Sequence, residues 1–138
     1  MQAQILDLLR GLRERLGMAV LFITHDLGLV AEFADRVLVL YAGRALETAP
    51  CRDLFASPAH PYTRALLRSM PALARRGEAL AAIGGSVPPP DALPPGCRFA
   101  PRCSFRRPAC DAAPPPLAPI GHDRASACIL PPAAGVAP

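Results

Sequence analysis

The spacing of apolar side chains at the start of the chain predicts a helix followed by a buried strand. Residues 2–16 repeat apolar positions at the interval of one helical face, and Gly17 indicates where that helix stops. The positions on this face are Ile5, Leu8, Leu9, Leu12 and Leu16. Residues 18–24 then form an apolar run that ends in threonine, which is typical of a strand buried on both faces of a parallel sheet.

A second pattern predicts two strands joined by a tight turn. Residues 36–41 are almost continuously apolar, and residues 44–48 return as the second strand. The dipeptide Ala42-Gly43 between them is a turn signal, because hairpin turns favour residues that tolerate positive φ angles.

Three short helices are predicted around this hairpin. Asp26 is a candidate N-cap for a helix over residues 27–34, because its carboxylate can accept from the free backbone N–H groups at a helix start. Residues 50–57 predict another helix. Pro61 suits the first position of a third, which is expected to end near Met70.

Beyond Met70 the periodicity gives way to turn and loop signals. Most of the 18 prolines lie here, and the segment has few large apolar residues to offset the entropy of ordering a chain. Composition alone predicts a disordered Pro/Ala tail, an interpretation that we keep for residues 131–138. Four of the five cysteines also lie in this half, which argues against disorder in the rest of it.

Charge and hydropathy exclude several classes of function. The net charge of +4 comes entirely from scattered arginines, and aromatic residues are few, so nucleic-acid binding is not expected. No stretch approaches the roughly 18 consecutive apolar residues of a membrane span, and the first residues lack the pattern of a signal peptide. A cytosolic chain is therefore expected, in which cysteines are thiols or metal ligands rather than disulfides.

The triplet Thr24-His25-Asp26 follows the first predicted strand at its carboxyl end. Ligands of parallel α/β sheets bind beyond the carboxyl ends of strands, and a histidine there can contact a phosphate oxygen and help to orient an attacking water. A single histidine at such a position is more often packed or exposed without a role. The residues around His25 therefore decide between these interpretations.

Those surroundings resemble the switch-histidine region of ATP-binding cassette (ABC) ATPases. The resemblance rests on Thr24-His25-Asp26, Ala34-Asp35-Arg36 and Tyr41-Ala42-Gly43-Arg44 in this order. It implies that His25 is the switch histidine, which contacts the γ-phosphate of ATP. The segment His60-Pro61-Tyr62-Thr63 further resembles the C-terminal extension of the oligopeptide/dipeptide and nickel importer ATPases. The residues alone indicate only a helix that starts at Pro61 and is capped by His60.

The other nucleotide-binding motifs of that family do not occur in the sequence. The chain contains no lysine, so a G-x-x-x-x-G-K-[ST] phosphate loop is ruled out. It also has no Leu-Ser-Gly-Gly signature and no apolar run ending in Asp-Glu. We therefore interpret the chain as the C-terminal part of a longer protein, truncated before the switch-histidine strand, and expect no catalysis by it alone.

Four cysteines form a candidate metal centre. They are Cys97, Cys103, Cys110 and Cys128. Their spacing lacks the C-x2-C pair of ordinary zinc ribbons and ferredoxins, and incidental cysteines in a flexible tail are the alternative. A metal would supply the folding energy that this segment cannot gain from burial. Neighbouring arginines are expected to offset thiolate charge and to lower the thiol pKa values, namely Arg98, Arg102, Arg106 and Arg107.

The stretch from Gly96 to Cys103, with Cys110, His122 and Cys128 after it, resembles the cysteine-rich C-terminus of the peptide-importer ATPases. Some members of that family hold a [4Fe–4S] cluster there, which makes the four cysteines its implied ligands, and zinc is the competing metal. We expect His122 to be structural, since four cysteines already complete a tetrahedral set. Cys51 stands apart and is also expected to be structural.

Together these patterns predict an α/β fold in three parts. Residues 1–56 are expected to be the C-terminal remnant of a P-loop ABC nucleotide-binding domain. Residues 57–130 are expected to be a Pro/Cys-rich peptide-importer extension with the metal motif, and residues 131–138 a disordered tail.

The function implied by the resemblance is that of the ATP-binding subunit of a peptide-type ABC importer. The intact protein would use ATP and Mg²⁺ to drive peptide uptake at the cytoplasmic face of the membrane. Its implied partners are a second ATPase subunit, two membrane permeases and, indirectly, an extracytoplasmic solute-binding protein. The alternatives are a non-enzymatic, metal-stabilised interaction or regulatory module and a decayed fragment.

Overall fold

Four antiparallel strands and four helices make up the regular structure of the part of the chain that can be described. A computed structural model describes residues 2–70 and 82–131. The elements in chain order are α1 (Gln2–Leu16), α2 (Leu27–Phe33), β1 (Arg36–Tyr41), β2 (Arg44–Pro50), α3 (Cys51–Ala56), α4 (Pro61–Arg68), β3 (Ala118–Gly121) and β4 (Arg124–Ser126). Two 3₁₀ turns, Ala100–Arg102 and Pro108–Asp111, lie between α4 and β3. The sheet order is β1-β2-β4-β3.

The predicted helices are confirmed, with ends that differ by at most two residues. The side chain of Asp26 caps α2, accepting from Gly28 N at 2.9 Å and from Leu29 N at 3.2 Å. Gly17 follows α1 with a φ of 63°, a conformation that glycine adopts without steric cost. The local sequence therefore defines these helices through their caps.

The predicted hairpin is also confirmed, and its turn has the geometry that strand twist favours. Ala42 and Gly43 have φ angles of 46° and 77°, as a two-residue turn of the primed type requires. A bulge between Val39 and Leu40 shifts the register of the two strands. A bulge places two residues of one strand opposite a single residue of the other and so interrupts the alternation of side chains between the two faces. Leu46 and Glu47, which are consecutive in β2, are therefore both buried.

The predicted strand over residues 18–24 is wrong. These residues have no regular structure, and Leu21 and Ile23 are 89% and 85% exposed. A strand needs a neighbour for its backbone N–H and C=O groups, and no strand in the described ranges pairs with this segment. The sheet that forms is antiparallel throughout, unlike the parallel sheet that this run predicted.

The Pro-rich half contains more structure than its composition predicted. Strand β4 pairs with β2 through Glu47 opposite Ser126 and Thr48 opposite Ala125, so the last strands extend the first hairpin. The disorder predicted for residues 131–138 lies, apart from Pro131, outside the described residues. Across the described ranges, no helix has the length and apolar character needed to cross a bilayer.

Two apolar clusters form the core on the sheet. One consists of Tyr41, Leu46, Phe99 and Ala127, and the other of Val39, Ala49 and Leu54. Phe99 comes from the cysteine-rich segment, and its ring meets Tyr41 edge-on with 5.4 Å between centroids. The cysteine-rich segment is therefore packed onto the end of β1 rather than standing alone.

A buried carboxylate connects β2 to the start of α4. Glu47 is fully buried and accepts from Ala59 N at 2.7 Å and from His60 N at 2.8 Å. Arg124 Nη2 of β4 lies 3.8 Å from Oε1 of the same carboxylate. Charged acceptors form the stronger protein hydrogen bonds, so Glu47 fixes three segments relative to one another.

Substitution Glu47→Ala is expected to lower the free energy of unfolding by about 3 kcal/mol, because two buried N–H donors lose their acceptor at about 1–3 kcal/mol each. Glu47→Gln keeps one acceptor oxygen and should cost about half as much. Urea denaturation measures both values. Glu32→Ala, at an exposed position on α2, is the matched control and should stay within about 0.5 kcal/mol of the parent. Equal stability of the Glu47→Ala and Glu32→Ala variants would contradict this assignment.

Candidate metal centre

The four candidate cysteines surround one cavity. Cys97, Cys103, Cys110 and Cys128 all line it. Their convergence follows from the fold and not from close spacing in sequence, since β3 and β4 both lie between Cys110 and Cys128. Cys51 lies elsewhere, with its Sγ 3.5 Å from the Val30 carbonyl oxygen.

Tight backbone turns bring the first three cysteines together. Ala100 N donates to the Cys97 carbonyl at 2.9 Å, and Cys103 N donates to the Ala100 carbonyl at 3.2 Å. Cys97 N donates to the Cys110 carbonyl at 2.8 Å, which brings the segment around Cys110 next to the turn that holds Cys97 and Cys103. At Gly96 a Cβ atom would lie 2.1 Å from that same carbonyl oxygen, so only glycine allows the two segments to approach this closely.

Backbone N–H groups approach all four sulfur atoms. Burial raises the pKa of the Cys97, Cys103 and Cys128 thiols, and N–H groups two residues further along the chain oppose that rise in each case. The Sγ of Cys110 accepts from Arg107 N at 3.4 Å. Such donors stabilise a thiolate, the form that binds metal. Burial remains the larger effect, so the net shift at Cys97, Cys103 and Cys128 favours the protonated thiol.

The predicted lowering of the thiol pKa is wrong for Cys97, Cys103 and Cys128, because burial raises the pKa of each. Two of the nearby arginines are engaged elsewhere. Arg102 donates to the Ile83 and Gly84 carbonyls, each at 2.8 Å, and Arg98 donates to the Ala42 carbonyl at the hairpin turn. Arg106 forms an ion pair with Asp111 at 3.0 Å, and the charge of Cys110 adds to the rise in the pKa of Arg106.

The cysteines surround the cavity without forming a single-ion site. Within the described ranges, no three His, Cys, Asp or Glu side chains are arranged to hold one metal ion. His122 is exposed at the turn between β3 and β4 and does not line the cavity. The charge of Cys128 nevertheless contributes to the raised pKa of Cys103, which places the two thiols within electrostatic range.

His60 forms part of the cavity wall and is 1% exposed. Its Nδ1 accepts from Tyr62 N at 3.0 Å, which confirms the predicted cap of α4. Burial lowers the pKa of His60 to about 4, Arg64 adds to the fall, and an interaction with the Ala127 backbone opposes it. The imidazole is therefore neutral at pH 7.

His25 lies on the surface, away from the cysteine cavity. It and Asp26 border an open depression whose remaining lining residues are uncharged, namely Leu27, Gly28, Leu66, Ser69 and Met70. The segment before it is irregular, so His25 does not occupy the end of a strand. Its predicted contact with a γ-phosphate stays a prediction.

Sequence reasoning missed the roles of Glu47 and Phe99 and the place of His60 in the cavity wall. Glu47 is the sole acidic residue in an otherwise apolar and small-residue strand, and this was the signal that could have indicated a buried partner. Phe99 stands two residues after Cys97, where an apolar side chain inside a metal motif is expected to anchor it to a core.

Comparison with known proteins gives matches over nearly the whole chain. Residues 46–110 match the family described as the oligopeptide/dipeptide transporter, C-terminal region. A protein of Brucella ovis named as a peptide import ATP-binding protein is 54% identical over 134 residues. Another protein of that name, from Brucella melitensis, is 51% identical over 127 residues.

The two relatives are longer than this chain. The matches cover 93% and 92% of this chain but 40% and 38% of the relatives, so the chain spans about two-fifths of their length. The matched family segment includes β2, α4 and the first three cysteines of the cavity. Residues 46–110 thus match the family described as the oligopeptide/dipeptide transporter, C-terminal region, and nearly all of the chain is similar to proteins named as peptide import ATP-binding proteins.

Proposed function

We propose that this chain is the C-terminal part of the ATP-binding subunit of a peptide-type ABC importer. The observation that carries the proposal is the 54% identity, over 93% of the chain, to a protein named as a peptide import ATP-binding protein. The intact protein would couple hydrolysis of Mg-ATP to peptide uptake. It would act beside a second ATPase subunit on two membrane permeases at the cytoplasmic face, served indirectly by an extracytoplasmic solute-binding protein.

Exposed apolar side chains near His25 support this proposal. Leu21 and Ile23 are 89% and 85% exposed, and Leu38 and Leu40 of β1 are 53% and 58% exposed. Apolar side chains so close in sequence are normally covered by protein. The remaining part of a nucleotide-binding domain would cover these residues and give residues 18–24 the neighbouring strand that they lack.

In that setting His25 would contact the γ-phosphate and help to orient the attacking water. A chimaera tests this role, in which the matched 134 residues of the Brucella ovis relative are replaced by this chain. We expect the chimaera to hydrolyse ATP and the His25→Ala variant to lose about a hundredfold in kcat, the effect of removing one donor to a transition-state oxyanion. His122→Ala, at the other exposed histidine, should leave kcat unchanged.

Two results of this experiment would count against the proposal. An active chimaera with unchanged kcat in the His25→Ala variant would remove His25 from the reaction. A folded chimaera that binds no ATP, together with a folded metal-loaded chain on its own, would favour the non-enzymatic module.

For the cysteine cavity we propose a [4Fe–4S] cluster. A single zinc ion would have to contact four sulfur atoms at about 2.3 Å each. In a cluster, the cysteine thiolates are shared among several iron atoms, so the four sulfur atoms need not all approach one ion. What supports the proposal is that four thiols line one cavity, which is the number and type of ligands that such a cluster takes. Amide N–H groups directed at the sulfur atoms are also what a cluster requires.

Anaerobic purification should therefore give iron and acid-labile sulfide with little zinc. Serine substitution of any two of the four cavity cysteines is expected to remove most of the iron, because the cluster loses half of its ligands. Cys51→Ser is the matched control and should retain it, because Cys51 contacts Val30 and lies outside the cavity. Zinc in place of iron would contradict the cluster, and folded protein without metal would contradict any metal centre.

Gly96→Ala tests the close backbone approach between Gly96 and the segment of Cys110 and Asp111. The added Cβ would meet the Cys110 carbonyl oxygen at 2.1 Å and the Asp111 backbone at 2.7 Å, so the two segments must separate. We expect loss of most of the bound iron. Gly84→Ala is the control, since a Cβ there meets nothing within 4 Å, and it should keep the iron content of the parent. Equal iron in both variants would show that the site does not depend on this approach.

A further inference from the structure

One polar atom in the wall of the cysteine cavity has no assigned partner. His60 is 1% exposed, and its Nε2 makes no hydrogen bond within the described part of the chain. The imidazole lies against Phe99, with 6.1 Å between ring centroids, on the same wall as the four thiols. A buried polar atom without a partner destabilises the fold, so this one requires an explanation.

The helix cap fixes which nitrogen of His60 carries the proton. Nδ1 accepts from Tyr62 N at 3.0 Å, so it must be unprotonated. In a neutral imidazole the proton then resides on Nε2, which makes that atom a donor. The buried group without a partner is therefore an N–H, and what it lacks is an acceptor.

Among the described residues that line the cavity, the cysteines supply the only side-chain acceptor, which is sulfur. Besides His60 and the four cysteines, the lining residues are all apolar: Pro61, Phe99, Ala100, Pro115, Ile129 and Leu130. The Ala127 backbone is the competing acceptor, since it favours a protonated His60, although it makes no hydrogen bond of normal geometry with Nε2.

We propose that His60 donates its Nε2–H to a sulfur atom of the iron–sulfur group held by the four cysteines, either a ligating thiolate or an inorganic sulfide. This inference rests on the proposed cluster. A hydrogen bond to sulfur offsets the negative charge of a cluster and raises its reduction potential. The residue that starts α4 would thereby tune the electronic state of the metal centre.

Pulsed EPR of the parent chain tests the contact directly. The chain contains three histidines, and the other two, His25 and His122, are exposed and lie outside the cavity. After anaerobic reconstitution, ¹⁵N-histidine labelling and one-electron reduction with dithionite, a ¹⁵N coupling to the cluster is expected. A reduced cluster without that coupling would overturn the proposal, and this measurement needs no variant to fold.

His60→Asn tests the effect on the potential. The Asn carbonyl oxygen can still cap α4, but the shorter side chain withdraws the donor from the cavity. We expect the variant to keep its iron and its helix content. Its reduction equilibrium should become about tenfold less favourable, which lowers the midpoint potential by about 59 mV for one electron. An unchanged midpoint potential with the cluster intact would show that Ala127 is the sufficient partner of His60 and overturn the proposal.

Thr63→Val is the matched control for the loss of a buried polar group. Thr63 is 1% exposed, and its Oγ1 also lacks a partner in the described ranges, but it does not line the cavity. The midpoint potential of the Thr63→Val variant should equal that of the parent. A shift as large as that of His60→Asn would show that the effect is not specific to a contact between His60 and the cluster. If the parent chain itself takes up no cluster, the proposed metal function fails, and that result is distinct from a failure of His60 alone.

Discussion

The carboxylate of Glu47 is the interaction on which the rest of the structure depends. It is fully buried, and it holds the backbone N–H groups of Ala59 and His60 at the start of α4. It also faces Arg124 of β4, the strand that leads directly to Cys128. A single acidic side chain thus positions one wall of the cysteine cavity and one of its four thiols. The pairing of β4 with β2 and a set of aromatic contacts hold these segments on the sheet as well.

Those aromatic contacts supply the second restraint on the site. Tyr62 of α4 lies 4.7 Å from Tyr41 and 5.2 Å from Phe99 between ring centroids. The three rings come from α4, β1 and the cysteine-rich segment, which are far apart in sequence. Aromatic pairs at such distances add about 0.5–1.5 kcal/mol each beyond their burial. The His-Pro-Tyr sequence therefore joins a polar restraint at its histidine to an apolar one at its tyrosine.

The sequence predicted what local chemistry determines and failed where distant partners decide. Asp26, His60 and the Ala42-Gly43 turn were predictable because caps and turns depend on neighbouring residues. The strand over residues 18–24 was wrong because an apolar run cannot show whether a neighbouring strand exists. The expected lowering of the Cys97, Cys103 and Cys128 pKa values was wrong because the sequence shows the arginines but not the burial that raises these values. The carbonyls to which Arg102 donates also appear only in the fold. The four cysteines were predicted as a set, but β4 brings Cys128 to them through pairing that no spacing reveals.

The raised thiol pKa values have a consequence for how the cysteines of the cavity react. Thiolates, not thiols, react with oxidants, alkylating agents and disulfides. Because burial raises the pKa of Cys97, Cys103 and Cys128, these thiols would react with oxidants more slowly than exposed cysteines at the same pH. In the proposed metal centre, ligation would expel the thiol protons, so loading would be coupled to proton release and would become more favourable as the pH rises.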